Sequence, residues 1–137
     1  MLELNNVTKV YAAKGGASVR ALDGVSVRFG EKGLVFLLGK SGSGKSTLLN
    51  VAGGLDRPTE GEIIVGDKRS SDFTPSDFDS YRNTYVGFVF QEYNLLDEFS
   101  VRENISLALE LQGKAQARQD VDRILEEVDL SGYGSRR

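Results

Sequence analysis

The sequence predicts an α/β fold, and three observations carry that prediction. An unbroken apolar run at residues 34–38, L-V-F-L-L, leads into a glycine-rich loop and then a short helical pattern over 46–52. Ahead of it, residues 19–29 alternate with the two-residue period of a half-covered strand. Behind it, the last third of the chain carries apolar residues at helical spacing. At 137 residues the length suits one compact domain with its own core.

Taken in order, residues 2–11 fit a strand that leads to Tyr11, with Leu2, Leu4, Val7 and Val10 as its apolar positions. A loop is expected over 12–17, where Gly15-Gly16 breaks the pattern. In 19–29, Val25, Val27 and Phe29 share one face against Ser26 and Arg28 on the other, and the turn at 30–33 closes the strand. The run at 34–38 reads as a strand covered on both faces. Leu48, Leu49 and Ala52 mark the short helix, which Gly53-Gly54 stops. Pro58-Thr59-Glu60-Gly61 is a turn, because proline presets φ and glycine closes it, and residues 62–65 form a brief strand. Residues 67–84 are polar and interrupted by Pro75, which leaves a loop with a helix over 77–83. Residues 85–90 return to an aromatic and β-branched strand ending at Gln91. Ser100 with Glu103 three residues on is a capping box that opens a helix, and Gly113 stops it. A second helix runs over 116–128, striped by Val121, Ile124, Leu125 and Val128.

Composition removes several classes of function. The net charge of −3 and a pI near 5.0 lack the basic footprint of a nucleic-acid binder. With no cysteine, disulfides, thiolate metal sites and cysteine nucleophiles are excluded. With no histidine, the commonest neutral-pH base and zinc ligand are missing too, so chemistry must run on carboxylates, lysine, hydroxyls or a bound metal ion. The longest apolar run is far below the roughly 20 residues that cross a bilayer, and no signal-peptide pattern opens the chain. The expectation is a cytoplasmic protein that does not insert into the membrane itself.

The loop at 39–47, G-K-S-G-S-G-K-S-T, matches the phosphate-binding pattern G-x-x-x-x-G-K-[ST]. Gly39, Gly42 and Gly44 permit the backbone angles that aim successive N–H groups into one concavity and leave room for phosphate oxygens. The helix that follows adds its positive end. Lys45 is expected to neutralise β- and γ-phosphate oxygens, Ser46 to bind Mg²⁺, and Thr47 to meet the α-phosphate. Lys40, Ser41 and Ser43 belong to the same loop, Lys40 and Ser43 acting through backbone N–H groups. A flexible glycine-serine linker is the plain alternative, against which stands the placement between strand and helix. The loop alone does not choose among GTPases, nucleotide kinases and transport ATPases.

Further segments make that choice. A-L-D-G-V-S at 21–26, the loop with L-L-N after it, G-G-L-D-R-P-T-E-G-E-I at 53–63, V-G-F-V-F-Q-E-Y-N-L-L at 86–96 and S-V-R-E-N-I at 100–105 together resemble the ATP-binding subunit of an ABC transporter, in its macrolide, lipoprotein and antimicrobial-peptide branch. The resemblance implies a P-loop NTPase core of ABC type with an antiparallel β portion and the start of a helical subdomain. It places a β-rich nucleotide-binding core at 1–91 and the helical subdomain from 92 to 137. It implies ATP and Mg²⁺ as cofactors, Tyr11 as the aromatic stacked on adenine, and Lys45 and Gln91 as catalytic residues. Gln91 would reach Mg²⁺ and the attacking water and sense the transmembrane partner. The implied partners are a permease, separate or fused, and a second nucleotide-binding domain in a head-to-tail dimer, at the inner face of the membrane.

The family also needs an L-S-G-G-Q signature, a strand ending in Asp-Glu and a switch histidine, none of which is in the sequence. Residues 130–134, L-S-G-Y-G, start like the signature, but Tyr133 would crowd the place where glycine backbone meets phosphate. Residues 63–67 lack the glutamate that should follow Asp67. The expectation is a chain that stops before the signature, binds nucleotide weakly and turns it over poorly, because positioned water, Mg²⁺ support and the partner's signature are needed together. A nucleotide-binding protein ending naturally at Arg137 is the second reading. A GTPase is disfavoured because N-K-x-D is missing and the D-x-x-G match at Asp129 lies at a helix end, and a nucleotide kinase because no arginine-rich lid follows. Helical surface left uncovered is expected to drive self-association or swapping of these helices.

Overall fold

The structure is a computed structural model and describes residues 1–12, 15–113 and 117–137. Two compact units are present, Met1–Val86 and Gly87–Arg137.

The first unit is built on strands β1 (Leu2–Ala12), β2 (Ser18–Phe29), β3 (Glu60–Val65) and β4 (Lys68–Arg69), which form an antiparallel sheet in the order β2-β1-β3-β4. Apolar positions meet across the ladders: Leu4 faces Val27 on one side and Ile63 on the other, and Val7 faces Val25. The register shifts after Leu4 in the β1–β2 ladder and after Asn5 in the β1–β3 ladder. Asn6 there has φ 51°, and its N–H donates to Ser26 Oγ at 2.9 Å. Gly61 packs against this kink: a Cβ on it would fall 2.2 Å from Asn6 O. Helix α1 (Lys45–Ala52) lays Leu48, Val51 and Ala52 on Leu4, Val7, Leu22 and Ile63 to make the core. Each fully buried aliphatic side chain there contributes about 1.5–3 kcal/mol.

Helix α2 (Pro75–Tyr85) begins at Thr74, whose hydroxyl accepts from Asp77 N while the Asp77 carboxylate accepts from Thr74 N. Pro75 therefore does not interrupt this region. It occupies the first helical position, where its missing N–H is not required, and the helix is longer than the expected 77–83. Tyr81 anchors it by donating from its hydroxyl to Ala52 O at 2.8 Å.

Two expected strands are not formed. Residues 34–38 lie outside any strand, with Leu34, Phe36 and Leu38 79%, 75% and 88% exposed. Residues 85–90 are likewise not a strand: Tyr85 ends α2, and Val89 is fully exposed. The physical reason is shared. A doubly covered strand is held by neighbours on both edges and both faces, and among the described residues no strand adjoins either segment.

The second unit pairs α3 (Val101–Leu111) with α4 (Ala117–Glu127). The Ser100–Glu103 capping box forms as expected, and Gly113, φ 71°, follows the end of α3. Val101 N and Arg102 N donate to Arg136 O and Gly134 O, so the C-terminal residues satisfy the start of α3. Val121 and Leu125 are buried and Ile124 is half-buried, whereas Val128 of the expected stripe is exposed. Residue 116, the expected start of the second helix, and residues 13–14 of the expected first loop lie outside the described residues.

Candidate functional site

Residues 39–44 carry the main chain into α1 through a loop closed on its own polar groups. Ser43 N donates to Lys40 O at 3.2 Å, and Lys45 Nζ donates to Gly39 O at 3.0 Å and to Lys40 O at 3.1 Å. The ammonium thus spans the loop from the first residue of the helix. Gly44 precedes it at φ 72°, with its α-carbon so close to β2 that a Cβ would fall 2.1 Å from Ala21 O. Gly42, φ 77°, has open space where a Cβ would go, and at Gly39 a Cβ would fall 2.6 Å from Ser43 Oγ.

Helix α1 starts with no side-chain cap and no acidic residue in its first turn. Its leading N–H groups and the positive end of its dipole are therefore left for the loop, where Lys45 adds a full charge. Such a concavity binds an anion. Ser46 is exposed and Thr47 half-buried in the same turn. The Ser46 hydroxyl is a hard oxygen donor, which suits Mg²⁺, a cation that keeps waters and phosphate oxygens as most of its shell.

Tyr11 stands at the end of β1 on the side of this loop. Its hydroxyl donates to Asp56 Oδ2 at 2.8 Å, with Thr47 close by. Burial pushes the phenol above its ordinary value, the Asp56 carboxylate adds to the rise, and Thr47 and Lys9 oppose it. Asp56 Oδ1 accepts from Lys9 Nζ at 2.5 Å and from Arg57 N at 2.7 Å, while Lys9 Nζ also lies over the Tyr11 ring, 5.0 Å from its centroid. Burial acts to raise the Asp56 carboxyl, but the hydrogen bonds from Lys9, Tyr11 and Arg57 outweigh it and hold the group below the usual carboxylate range. Sequence reasoning had singled out neither Asp56 nor Lys9. The signal was the spacing of Lys9 and Tyr11, two residues apart on one face of a strand, which says nothing about a carboxylate arriving from a loop 45 residues later.

The structure brings Tyr11 and the 39–47 loop together in the first unit. Gln91 belongs to the second unit, exposed in the turn where Tyr93 N donates to Phe90 O at 3.4 Å. In residues 130–134, Tyr133 lies under the Arg136 guanidinium, 4.0 Å from its ring centroid. Asp67 sits with Gly66 in the two-residue turn between β3 and β4. No group of three acidic, histidine or cysteine residues able to hold a metal ion is found among the described residues.

An α/β core with a glycine loop, a lysine across it and an uncapped helix behind it defines the P-loop NTPase class. Within that class the model of the ABC transporter family matches residues 22–137, and the chain belongs to this family. It is 41% identical over 128 residues to the lipoprotein-releasing system ATP-binding protein LolD of Saccharophagus degradans, covering 92% of this chain and 56% of that protein. It is 40% identical over 134 residues to the methionine import ATP-binding protein MetN of Halalkalibacterium halodurans, covering 96% of this chain and 39% of that one. Among solved structures, the ATP-binding cassette MJ0796, in a dimeric post-hydrolysis state bound to ADP and Pi, superimposes with a TM-score of 0.89 at 32% identity, over all of this chain and 61% of the cassette. The chain thus spans a little over half the length of LolD and about three-fifths of MJ0796. No helix among the described residues is long and apolar enough to cross a membrane.

Proposed function

We propose that this chain binds Mg²⁺-ATP and contributes it to an ABC transporter in which hydrolysis drives a permease. The observation that carries the reading is Lys45 spanning the 39–44 loop at the mouth of an uncapped helix, with Tyr11 beside it. The backbone of Gly39, Lys40, Ser41, Gly42, Ser43 and Gly44 forms the cradle, Lys45 holds the β- and γ-phosphates, Thr47 meets the α-phosphate, and Tyr11 offers its ring to adenine. Bound Mg²⁺ neutralises charge developing on the transferred phosphoryl group. Ser46 is its oxygen ligand from α1, and Gln91 is the side chain assigned to the ion and to the orientation of water. In the domain organisation we propose, residues 1–91 form the nucleotide-binding core and 92–137 the start of a helical subdomain.

The partners are a second ATP-binding domain, supported by the dimeric state of MJ0796, and a membrane permease, supported by the transport systems for which LolD and MetN are named. The protein would then work at the cytoplasmic face of the membrane. We assign it to the release and export branch, on the likeness to LolD together with the motif wording at 53–63 and 86–96. The comparable identity to MetN supports a second reading, an importer. Calorimetric titration with ATP, with and without Mg²⁺, tests the binding step: saturable, Mg²⁺-dependent binding is expected, and its absence would overturn the reading. Reconstitution with the permease that co-purifies from the source membranes decides direction.

A further inference from the structure

The turn that follows α1 is laced to the strand end that carries Tyr11. Thr59 N donates to Thr8 O at 2.8 Å, Val10 N donates to Thr59 Oγ1 at 3.0 Å, and Lys9 Nζ donates to Arg57 O at 2.8 Å. At the head of that turn Asp56 is fixed by its own main chain, because Leu55 N and Asp56 N both donate to Asn50 O in the last turn of α1. The carboxylate is used on both oxygens: Oδ1 takes Lys9 Nζ and Arg57 N, and Oδ2 takes the Tyr11 hydroxyl. Asp56 thereby connects the helix whose first turn belongs to the phosphate loop with the aromatic beside that loop.

A tyrosine near a strand end with 39% of its surface exposed would otherwise sample several rotamers. Pinning its hydroxyl fixes both side-chain torsions, and with Lys9 over one face of the ring a flat partner would take the other. Ordering the ring in advance removes an entropic penalty from binding.

We propose that Asp56, held by Lys9, is a positioning residue that sets the Tyr11 ring for stacking on the nucleobase of the bound nucleotide. The proposal rests on the nucleotide reading given above. It assigns Asp56 no contact with phosphate, so its effect belongs to the base half of the ligand alone.

The test is calorimetric titration of the chain with Mg²⁺-ATP and, separately, with Mg²⁺-tripolyphosphate, which has the phosphates and no base. Asp56→Ala removes the acceptor, and Tyr11→Phe removes the donor while keeping the ring. Each is expected to weaken ATP binding about two- to tenfold, the range of one net hydrogen bond, and to leave tripolyphosphate unchanged. Adding Asp56→Ala to Tyr11→Ala is expected to produce no further loss. Wild-type affinity for ATP in Tyr11→Phe, or an equal loss for both ligands in Asp56→Ala, would overturn the assignment. Should Asp56→Ala fail to fold, Tyr11→Phe decides, since it breaks the same bond from the other side. Two further outcomes bear on the nucleotide reading itself. A wild-type chain that binds neither ligand removes that reading and this assignment with it, whereas one that binds tripolyphosphate as tightly as ATP keeps the phosphate loop and removes the base contact that Asp56 is said to serve.

Discussion

Gly44 carries two constraints that its neighbour Gly42 carries only in part. Both have φ in the left-handed region, 72° and 77°, which costs a side-chain-bearing residue about 1–2 kcal/mol. Only Gly44 also faces main chain, with Ala21 O 2.1 Å from where a Cβ would sit. Gly42→Ala is therefore expected to lower unfolding stability by about 1 kcal/mol. Gly44→Ala should lose clearly more, about 2 kcal/mol or above, and displace the loop from β2. Urea unfolding of the two variants compares them directly, and equal losses would show that the contact with Ala21 is not rigid. Lys45 is a different kind of residue, since its amine donates to two loop carbonyls. Lys45→Ala should leave stability nearly unchanged and weaken ATP and tripolyphosphate by the same factor, about tenfold or more, as expected for charge-assisted bonds of about 1.5–3 kcal/mol. Loss confined to ATP would mean that the lysine does not face phosphate. At this scale the loop was legible because its chemistry is local, nine consecutive residues between an apolar run and a helix. Asp56 was not, because its role is made by a turn folding back on β1.

Helix ends were read from sequence where the capping residues were recognised and missed where proline drew attention first. Ser100 and Glu103 were expected to start α3, and they do. Thr74 and Asp77 make the same box one helix earlier, but Pro75 between them looked like a break rather than a first helical residue. The strands at 34–38 and 85–90 illustrate the opposite error: their apolar content says how they could be covered and nothing about whether a covering strand stands next to them. Both capping boxes should make the helices sensitive to acid. Hydrogen bonds from the Thr74 side chain and backbone hold the Asp77 carboxyl below its ordinary value, and those from the Ser100 backbone and side chain do the same for Glu103. A carboxyl whose value is lowered by folding stabilises the native state at neutral pH. That contribution shrinks as pH falls from the unfolded value through the folded one, because the unfolded chain takes up the proton first. Helical circular dichroism near the melting midpoint is therefore expected to fall on acidification below the ordinary carboxylate range. In the double variant Thr74→Ala, Ser100→Ala the fall should be shallower. Each single substitution should lower stability at pH 7 by about 1 kcal/mol, and an unchanged acid profile in the double variant would mean the boxes do not hold in solution.

Taken as a whole chain, the protein closes a core in its first unit and still leaves apolar surface uncovered. Uncovered helical surface is expected to drive self-association; of the α4 stripe, Val121 and Leu125 are buried, Ile124 is half-buried and Val128 is exposed. Uncovered apolar surface also lies at 34–38, where five consecutive apolar residues are 39% to 88% exposed and carry main-chain groups that no ladder uses. Such a segment combines two hazards, since apolar area favours association and free edge groups template strand pairing. The 137-residue chain is expected to associate as its concentration rises, through this segment rather than through the helices. Sedimentation velocity over a hundredfold range of concentration should show a rising weight-average mass for the wild-type chain. Phe36→Lys should shift the rise to higher concentration, because a charge on an exposed strand-forming segment opposes pairing. Val128→Lys, on the exposed end of the helical stripe, serves as the control and should leave the curve where it was. A monomer at every concentration would show that 34–38 is covered in solution by the chain itself, and the reverse ranking of the two substitutions would return the association surface to α4.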